Sequence, residues 1–137
     1  MKRGAVHHID LTVKDPVASR RFYESVLGFM GFAVVDTYEY GFDMDLRDGG
    51  RLVTSIGILR ARGDNAARAH DRYSPGLHHV AWYAESREDV DAIYALLRSI
   101  GATILDAPAD YPRYGPGYYA VFFADPDGLK LEYVFKP

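Results

Sequence analysis

The chain contains no cysteine. Disulfides and thiolate metal sites are therefore excluded, and any metal must be held by His, Asp or Glu. The same lack makes the cytoplasm the expected location. No apolar run reaches the ~18 residues that a membrane span needs, and no signal-peptide pattern opens the sequence, so no membrane partner is expected. A strong charge of one sign is also missing. The net charge is −3, and Lys and Arg are scattered, which removes the basic surface a nucleic-acid partner requires. Within 137 residues, 48% hydrophobic and 26% charged content is enough for one globular domain with a sizeable core. Tyrosine is the exception to this ordinary composition: there are eleven, four of them between 111 and 119.

One short stretch occurs twice. Val6-His7-His8-Ile9-Asp10-Leu11-Thr12-Val13 is matched by Leu77-His78-His79-Val80-Ala81-Trp82-Tyr83-Ala84. Both are apolar and β-branched, with a histidine pair at the same place. His8 and His79 are 71 residues apart, as are Tyr23 and Tyr94; Gly31 and Gly101 are 70 apart, as are Asp36 and Asp106. Register held over thirty residues with one slip argues for duplication.

Each copy reads strand, helix, strand, strand, strand. In the first, 5–13 alternates as a strand, and Asp15-Pro16 caps a helix over 16–27 with Val17, Phe22, Val26 and Leu27 inward. Gly28 is its expected stop, with Gly31 as the alternative. Strands follow at 32–40, 42–46 and 52–59, the last two separated by the Asp48-Gly49-Gly50 turn. Residues 61–76 lose the pattern and read as a linker. In the second copy, strand 77–84 precedes a helix capped by Ser86, with Asp89 in the capping-box position. Its apolar face is Val90, Ile93, Leu96, Leu97 and Ile100, and Gly101 closes it. A strand over 102–105, a loop over 106–116, a strand over 118–124, the Asp125-Pro126-Asp127-Gly128 turn and a strand over 129–135 complete it. The expected fold is α+β: one domain, 1–137, built of two βαβββ modules, 5–60 and 77–137. Each module alone would be marginal. Their open sheet faces are expected to form a cleft, with the helices outside.

Alternation along strands selects the candidate site. Ile9, Leu11 and Val13 must cover a helix, so His7 is expected with them and His8 on the open face. Val80 and Trp82 likewise take His78 with them and leave His79 open. In the last strand Leu131, Tyr133 and Phe135 lie on one side, which puts Glu132 with the histidines. A carboxylate between Leu131 and Tyr133 needs a reason, because burying it unpaired is costly. Two neutral imidazoles and one carboxylate form a divalent-metal ligand set that leaves positions open for water or substrate. Asp10, two residues after His8 on the same face, is a candidate base, or else it orients a ligand or pairs with an Arg. Tyr83 is the matching catalytic candidate from the second module, or a pocket wall. In Tyr111-Pro112-Arg113-Tyr114-Gly115-Pro116-Gly117-Tyr118-Tyr119, the residues Tyr111, Arg113, Tyr114 and Tyr119 are candidate substrate-pocket residues. Tyrosines supply apolar area with a polar tip, and Arg113 suits a carboxylate or phosphate. The alternative is a surface loop packed on a partner subunit.

Four pieces carry a family resemblance: His8-Ile9-Asp10-Leu11-Thr12-Val13; Phe22-Tyr23-Glu24-Ser25-Val26-Leu27-Gly28-Phe29; Leu77-His78-His79-Val80-Ala81-Trp82; and Asp125-Pro126-Asp127-Gly128-Leu129-Lys130-Leu131-Glu132. Together they resemble the vicinal oxygen chelate superfamily of glyoxalases, bleomycin-resistance proteins and extradiol dioxygenases. The resemblance implies paired βαβββ modules in a cleft-shaped mixed sheet. It matches His8, His79 and Glu132 to the family's metal ligands, with Fe, Mn, Ni, Zn or Mg as the cofactor. It implies a metal-dependent enzyme on a small oxygen-rich substrate, with lyase, isomerase, ring-cleaving (dioxygenase) or thiol-transfer chemistry, and a homodimer. The alternative it carries is a ligand-sequestering protein of the bleomycin-resistance type, without catalysis. Some members take a fourth ligand from the last strand of the first module. Here 51–59 holds no carboxylate, amide or histidine, and Thr12 stands where glyoxalase I has Arg.

Overall fold

The computed structural model describes residues 2–137. The chain divides into two compact units, Met1–Arg68 and Ala69–Pro137. The first holds β1 (His8–Val13), α1 (Pro16–Phe29), β2 (Ala33–Tyr38), β3 (Gly41–Asp48) and β4 (Arg51–Arg60). The second repeats the order with β5 (Val80–Tyr83), α2 (Arg87–Ser99), β6 (Thr103–Asp110), β7 (Tyr119–Ala124) and β8 (Lys130–Phe135). Each unit is a four-stranded mixed sheet, ordered β1-β4-β3-β2 in one and β5-β8-β7-β6 in the other. The first strand of each pairs parallel to the fourth, and the remaining neighbours are antiparallel. The fold is α+β, two βαβββ modules. No described helix is long and apolar enough to cross a membrane.

The helices begin and end for local reasons. The Asp15 carboxylate accepts from the Val17 N–H at 3.0 Å, and Pro16 opens α1 where a missing N–H costs nothing. Ser86 accepts from the Asp89 N–H at 3.0 Å and starts α2. The Asp89 carboxylate reaches back to the Glu85 N–H, one residue before the cap. Both helices close alike. Gly31 and Gly101 have positive φ, 96° and 71°. Their N–H groups bond to Gly28 and Arg98, and the next residues, Phe32 and Ala102, bond to Leu27 and Leu97. This is the Schellman arrangement, and only the residue with positive φ must be glycine. Gly28 therefore lies inside α1 and does not stop it. The helix runs two residues past the expected Leu27.

Each helix buries one stripe on its own sheet. In α1 the stripe is Phe22, Tyr23, Val26 and Leu27, with Pro16 and Ser19 at the first turn. Val17, expected inward, is 76% exposed, because Pro16 facing the sheet turns its neighbour outward. The sheet side is Leu11, Val13, Phe42, Met44, Ile56 and Ile58, all buried. In α2 the buried residues are Val90, Ile93 and Leu97. Leu96 and Ile100 are only half-buried. Leu131, Tyr133, Val121 and Phe123 are buried in the sheet they cover. Full burial of each such side chain contributes about 1.5–3 kcal/mol.

Two strand boundaries differ from the sequence reading and bear on the site. β5 begins at Val80 and β1 at His8, so His7, His78 and His79 precede the regular strands. The segment read as a loop from 106 continues as strand through Asp110, paired to Tyr119. Register slips between Ile104 and Asp106 and between Asp106 and Ala109 absorb Pro108, which has no N–H for a ladder. The equivalent slip in the first unit falls between Val34 and Asp36, so the duplication extends to its irregularities.

Candidate functional site

The open face of the second sheet is set by register. Glu132 lies between Ala81 of β5 and Phe122 of β7, and Val134 lies between Tyr83 and Ala120. Ala120, Phe122 and Val134 are buried, and Tyr111 and Tyr118 pack on them. Glu132 stands in this apolar ground with 2% exposure. A carboxylate there needs partners. The Tyr118 hydroxyl donates to Glu132 Oε1. Glu132 Oε2 lies 3.1 Å from His79 Nε2. Burial, and after it the bond to Glu132, pushes the Tyr118 phenol up, so it remains a donor at neutral pH.

The tyrosine-rich segment divides in two. Tyr111 stacks on Tyr114, with ring centroids 5.7 Å apart, and meets Phe122 edge-on at 5.3 Å. Arg113 donates to the Tyr114 hydroxyl at 2.7 Å and lies over its ring. Tyr111, Arg113, Tyr114 and Tyr118 thus gather on the Glu132 face. Burial, then the nearby Asp106 charge, raises the Tyr111 phenol. Tyr119 does not join them. Its hydroxyl donates to Asp91 of α2 at 2.6 Å, and Arg87 covers its ring at 3.9 Å. It belongs to the helix side, because neighbouring residues at a strand's start face opposite ways. Tyr118 is the residue the sequence reading missed. Alternation back from Phe122, across from Glu132, through Ala120 puts it on the Glu132 face.

The histidine pairs also depart from strict alternation. His78 and His79 face each other, Nδ1 to Nδ1, at 2.7 Å. His7 and His8 do the same at 2.9 Å. His7 and His78, expected on the helix side, instead turn toward their partners and are exposed, because neither lies within a strand. Desolvation by its surroundings, then the His79 charge, lowers the His78 imidazole.

In the first unit the open face carries three cross-strand rows: His8, Ser55, Asp45; Asp10, Gly57, Asp43; and Thr12, Leu59, Gly41. Ser55, across from His8, is a short neutral residue. A hollow of about 410 Å³ is lined by His8, Asp10, Tyr38, Asp43, Asp45 and Ser55, among others. The Tyr38 hydroxyl donates to Asp43 at 2.6 Å, and Arg47 pairs with Asp45 at 2.5 Å. Asp10 lies over Gly57, where an added Cβ would stand 2.3 Å from its Oδ1. Tyr83, in the second unit, is 84% exposed.

Among the described residues no group of three His, Asp or Glu side chains able to hold an ion is assembled. A pair is. With metal–nitrogen and metal–oxygen bonds near 2.0–2.2 Å, two donors on one ion stand about 2.9–3.4 Å apart. The 3.1 Å between His79 Nε2 and Glu132 Oε2 fits that spacing. One neutral imidazole and one carboxylate suit a divalent cation of borderline or hard character.

The family model described as "Glyoxalase/Bleomycin resistance protein/Dioxygenase superfamily" matches residues 5–133. The chain belongs to this superfamily. It is 34% identical over 129 residues to the YqjT protein of Bacillus subtilis, covering 94% of this chain and 97% of that one. It is 31% identical over 131 residues to YaeR of Escherichia coli, covering 93% and 92%. Among solved structures, a glyoxalase candidate from Bacillus halodurans superimposes with a TM-score of 0.81 at 28% identity, over 98% of this chain and 97% of that one. Lactoylglutathione lyase from Agrobacterium tumefaciens, at 18% identity and a TM-score of 0.66, shares the fold, over 98% and 96%.

Proposed function

We propose that this superfamily member is a metal-dependent enzyme acting on a small, oxygen-rich molecule. His79 and Glu132 would supply two donors to a divalent cation, and His8, at the equivalent place of the first unit, the third. The observation that carries the reading is the buried Glu132 carboxylate 3.1 Å from His79 Nε2, on an open sheet face. Such a cation would act as a Lewis acid toward adjacent substrate oxygens. The chain's own residues supply the rest. Tyr118 holds one Glu132 oxygen and leaves the other turned to His79. Tyr111 and Tyr114, with Phe122 buried behind Tyr111, offer flat apolar area that suits an aromatic or planar substrate. Arg113 is the candidate for binding a substrate carboxylate or phosphate. Asp10 is the candidate base; its carboxylate is exposed and held above Gly57. Tyr83 is the candidate acid or pocket wall, and a homodimer is part of the same proposal.

The test uses protein purified without a histidine tag. Elemental analysis is expected to find a divalent metal, lost in His79→Ala and Glu132→Gln with the fold retained. Metal-reconstituted protein is then screened against diols, catechols, thiohemiacetals and epoxides. Undiminished metal in His79→Ala would sink the site.

One observation favours a second reading, ligand sequestration without catalysis. Both Glu132 oxygens already have protein partners, so the burial of the carboxylate is accounted for without a cation. On that reading a planar ligand binds among Tyr111, Tyr114 and Phe122, with an affinity indifferent to chelators.

A further inference from the structure

The feature the proposed function leaves unused is the contact inside each histidine pair. It occurs twice, at equivalent points of the duplication: His7 to His8 at 2.9 Å and His78 to His79 at 2.7 Å, Nδ1 to Nδ1 each time. The rings stand steeply to one another, at 88° and 73°. Two neutral imidazoles can approach this way only with one hydrogen shared between the two Nδ1 atoms. The position of that hydrogen is tied to what the other nitrogen of each ring does.

We propose that His78 is a positioning residue that sets the tautomer of His79, and that His7 does the same for His8. The inference rests on the metal reading above. In the metal-free protein His79 donates its Nε2–H to Glu132, so its Nδ1 accepts and His78 carries its proton on Nδ1. To give the Nε2 lone pair to a cation, His79 must carry its proton on Nδ1 and donate it to His78. His78 then holds its own proton on Nε2, which its exposure leaves free to exchange with water. The proton count closes: His79 loses the Nε2 proton and gains the Nδ1 proton of His78, and His78 gains one from solvent. Both rings stay neutral throughout. A histidine ligand is held in orientation and tautomer by whatever its second nitrogen bonds, and here that partner is the preceding residue in both copies. Such a partner must be able both to donate and to accept at Nδ1. An imidazole does both by changing tautomer, whereas a backbone carbonyl only accepts.

The test uses the full chain without a tag and zinc ion alone as the probe. Long-range proton–nitrogen NMR reads the tautomers. His79 is expected to pass from the Nε2–H to the Nδ1–H form on zinc addition, and His78 to pass the opposite way. Zinc affinity, by competition with a chromophoric chelator, is expected to fall about tenfold or more in His78→Phe. In His78→Asn, whose side-chain amide can likewise accept through its oxygen or donate through its NH2, affinity is expected to recover to within about threefold of wild type. His7→Phe and His7→Asn should repeat the pattern. His78 is exposed, so these variants are expected to fold. Zinc bound equally by wild type and His78→Phe, with no change of tautomer, overturns the inference alone. A loss in His78→Phe that His78→Asn does not recover also overturns it. A wild-type protein that binds no zinc overturns the metal reading and this inference with it.

Discussion

Replacing Tyr118 with Phe isolates one bond at the centre of the second unit. The ring stays, and with it the packing on Ala120, Phe122 and Val134. What disappears is the hydroxyl that donates to Glu132 Oε1. Glu132 is 2% exposed, so water cannot simply replace the lost donor. A hydrogen bond to a charged group contributes about 1.5–3 kcal/mol, and a carboxylate left short of a partner in apolar ground keeps its desolvation cost. The expected loss is about 2 kcal/mol. With m near 2 kcal/mol/M in urea, the midpoint should fall by roughly 1 M at unchanged m. Tyr119→Phe is the control. It loses a comparable bond, to Asp91 at 2.6 Å, on an exposed surface, and should cost under about 1 kcal/mol. The same Tyr118→Phe protein should bind zinc about tenfold more weakly, because the Glu132 carboxylate is no longer held. Equal midpoints for the two variants, or a Tyr118→Phe protein indistinguishable from wild type, would refute the claim that Tyr118 supports a buried charge.

Alkaline stability follows from three phenols. Burial, then a carboxylate partner, raises Tyr38, Tyr118 and Tyr133 well above their ordinary value of 10.0. A raised folded pKa stabilises fully below the unfolded value, and that stability is lost as pH rises above about 10. Urea midpoints should therefore drop above pH 10, and the ionisation of these three phenols should appear together with unfolding. Two glycines should respond oppositely to alanine. At Gly41 a Cβ would stand 2.1 Å from the Ile58 carbonyl oxygen, a backbone atom that cannot swing away, so Gly41→Ala should cost about 3 kcal/mol. At Gly28, within α1 and with nothing within 4 Å, Gly28→Ala should stabilise by about 0.5–1 kcal/mol, both read by thermal or urea melts. Gly57→Ala must displace the Asp10 carboxylate, which an added Cβ meets at 2.3 Å. It should lower any activity found in the screen by about tenfold or more, while leaving zinc affinity within about threefold, if Asp10 moves protons rather than binding metal.

Much of the fold was legible because it rests on local chemistry. Asp15-Pro16 and Ser86 cap helices wherever they stand before an apolar periodic run, and Gly31 and Gly101 end them because only glycine takes the positive φ without cost. The inward turn of Glu132 followed from the alternation of Leu131, Tyr133 and Phe135, since β8 is a regular strand over that stretch. Gly28 misled because a glycine inside a helix and one just past its end look alike until the capping bonds are known. Val17 misled because one residue's rotation at a helix start depends on what its neighbour packs against.

The duplication, the order of elements and the identity of the ligand-type side chains are legible along the chain, because repeats, caps and strand alternation are properties of the residues near each position. Which tyrosine meets Glu132, and how the histidines of each pair face one another, is visible only in the folded chain. Those depend on where a strand begins and on what lies across from it. β5 starts only at Val80, so the rings of His78 and His79 are free of the alternating pleat and can meet.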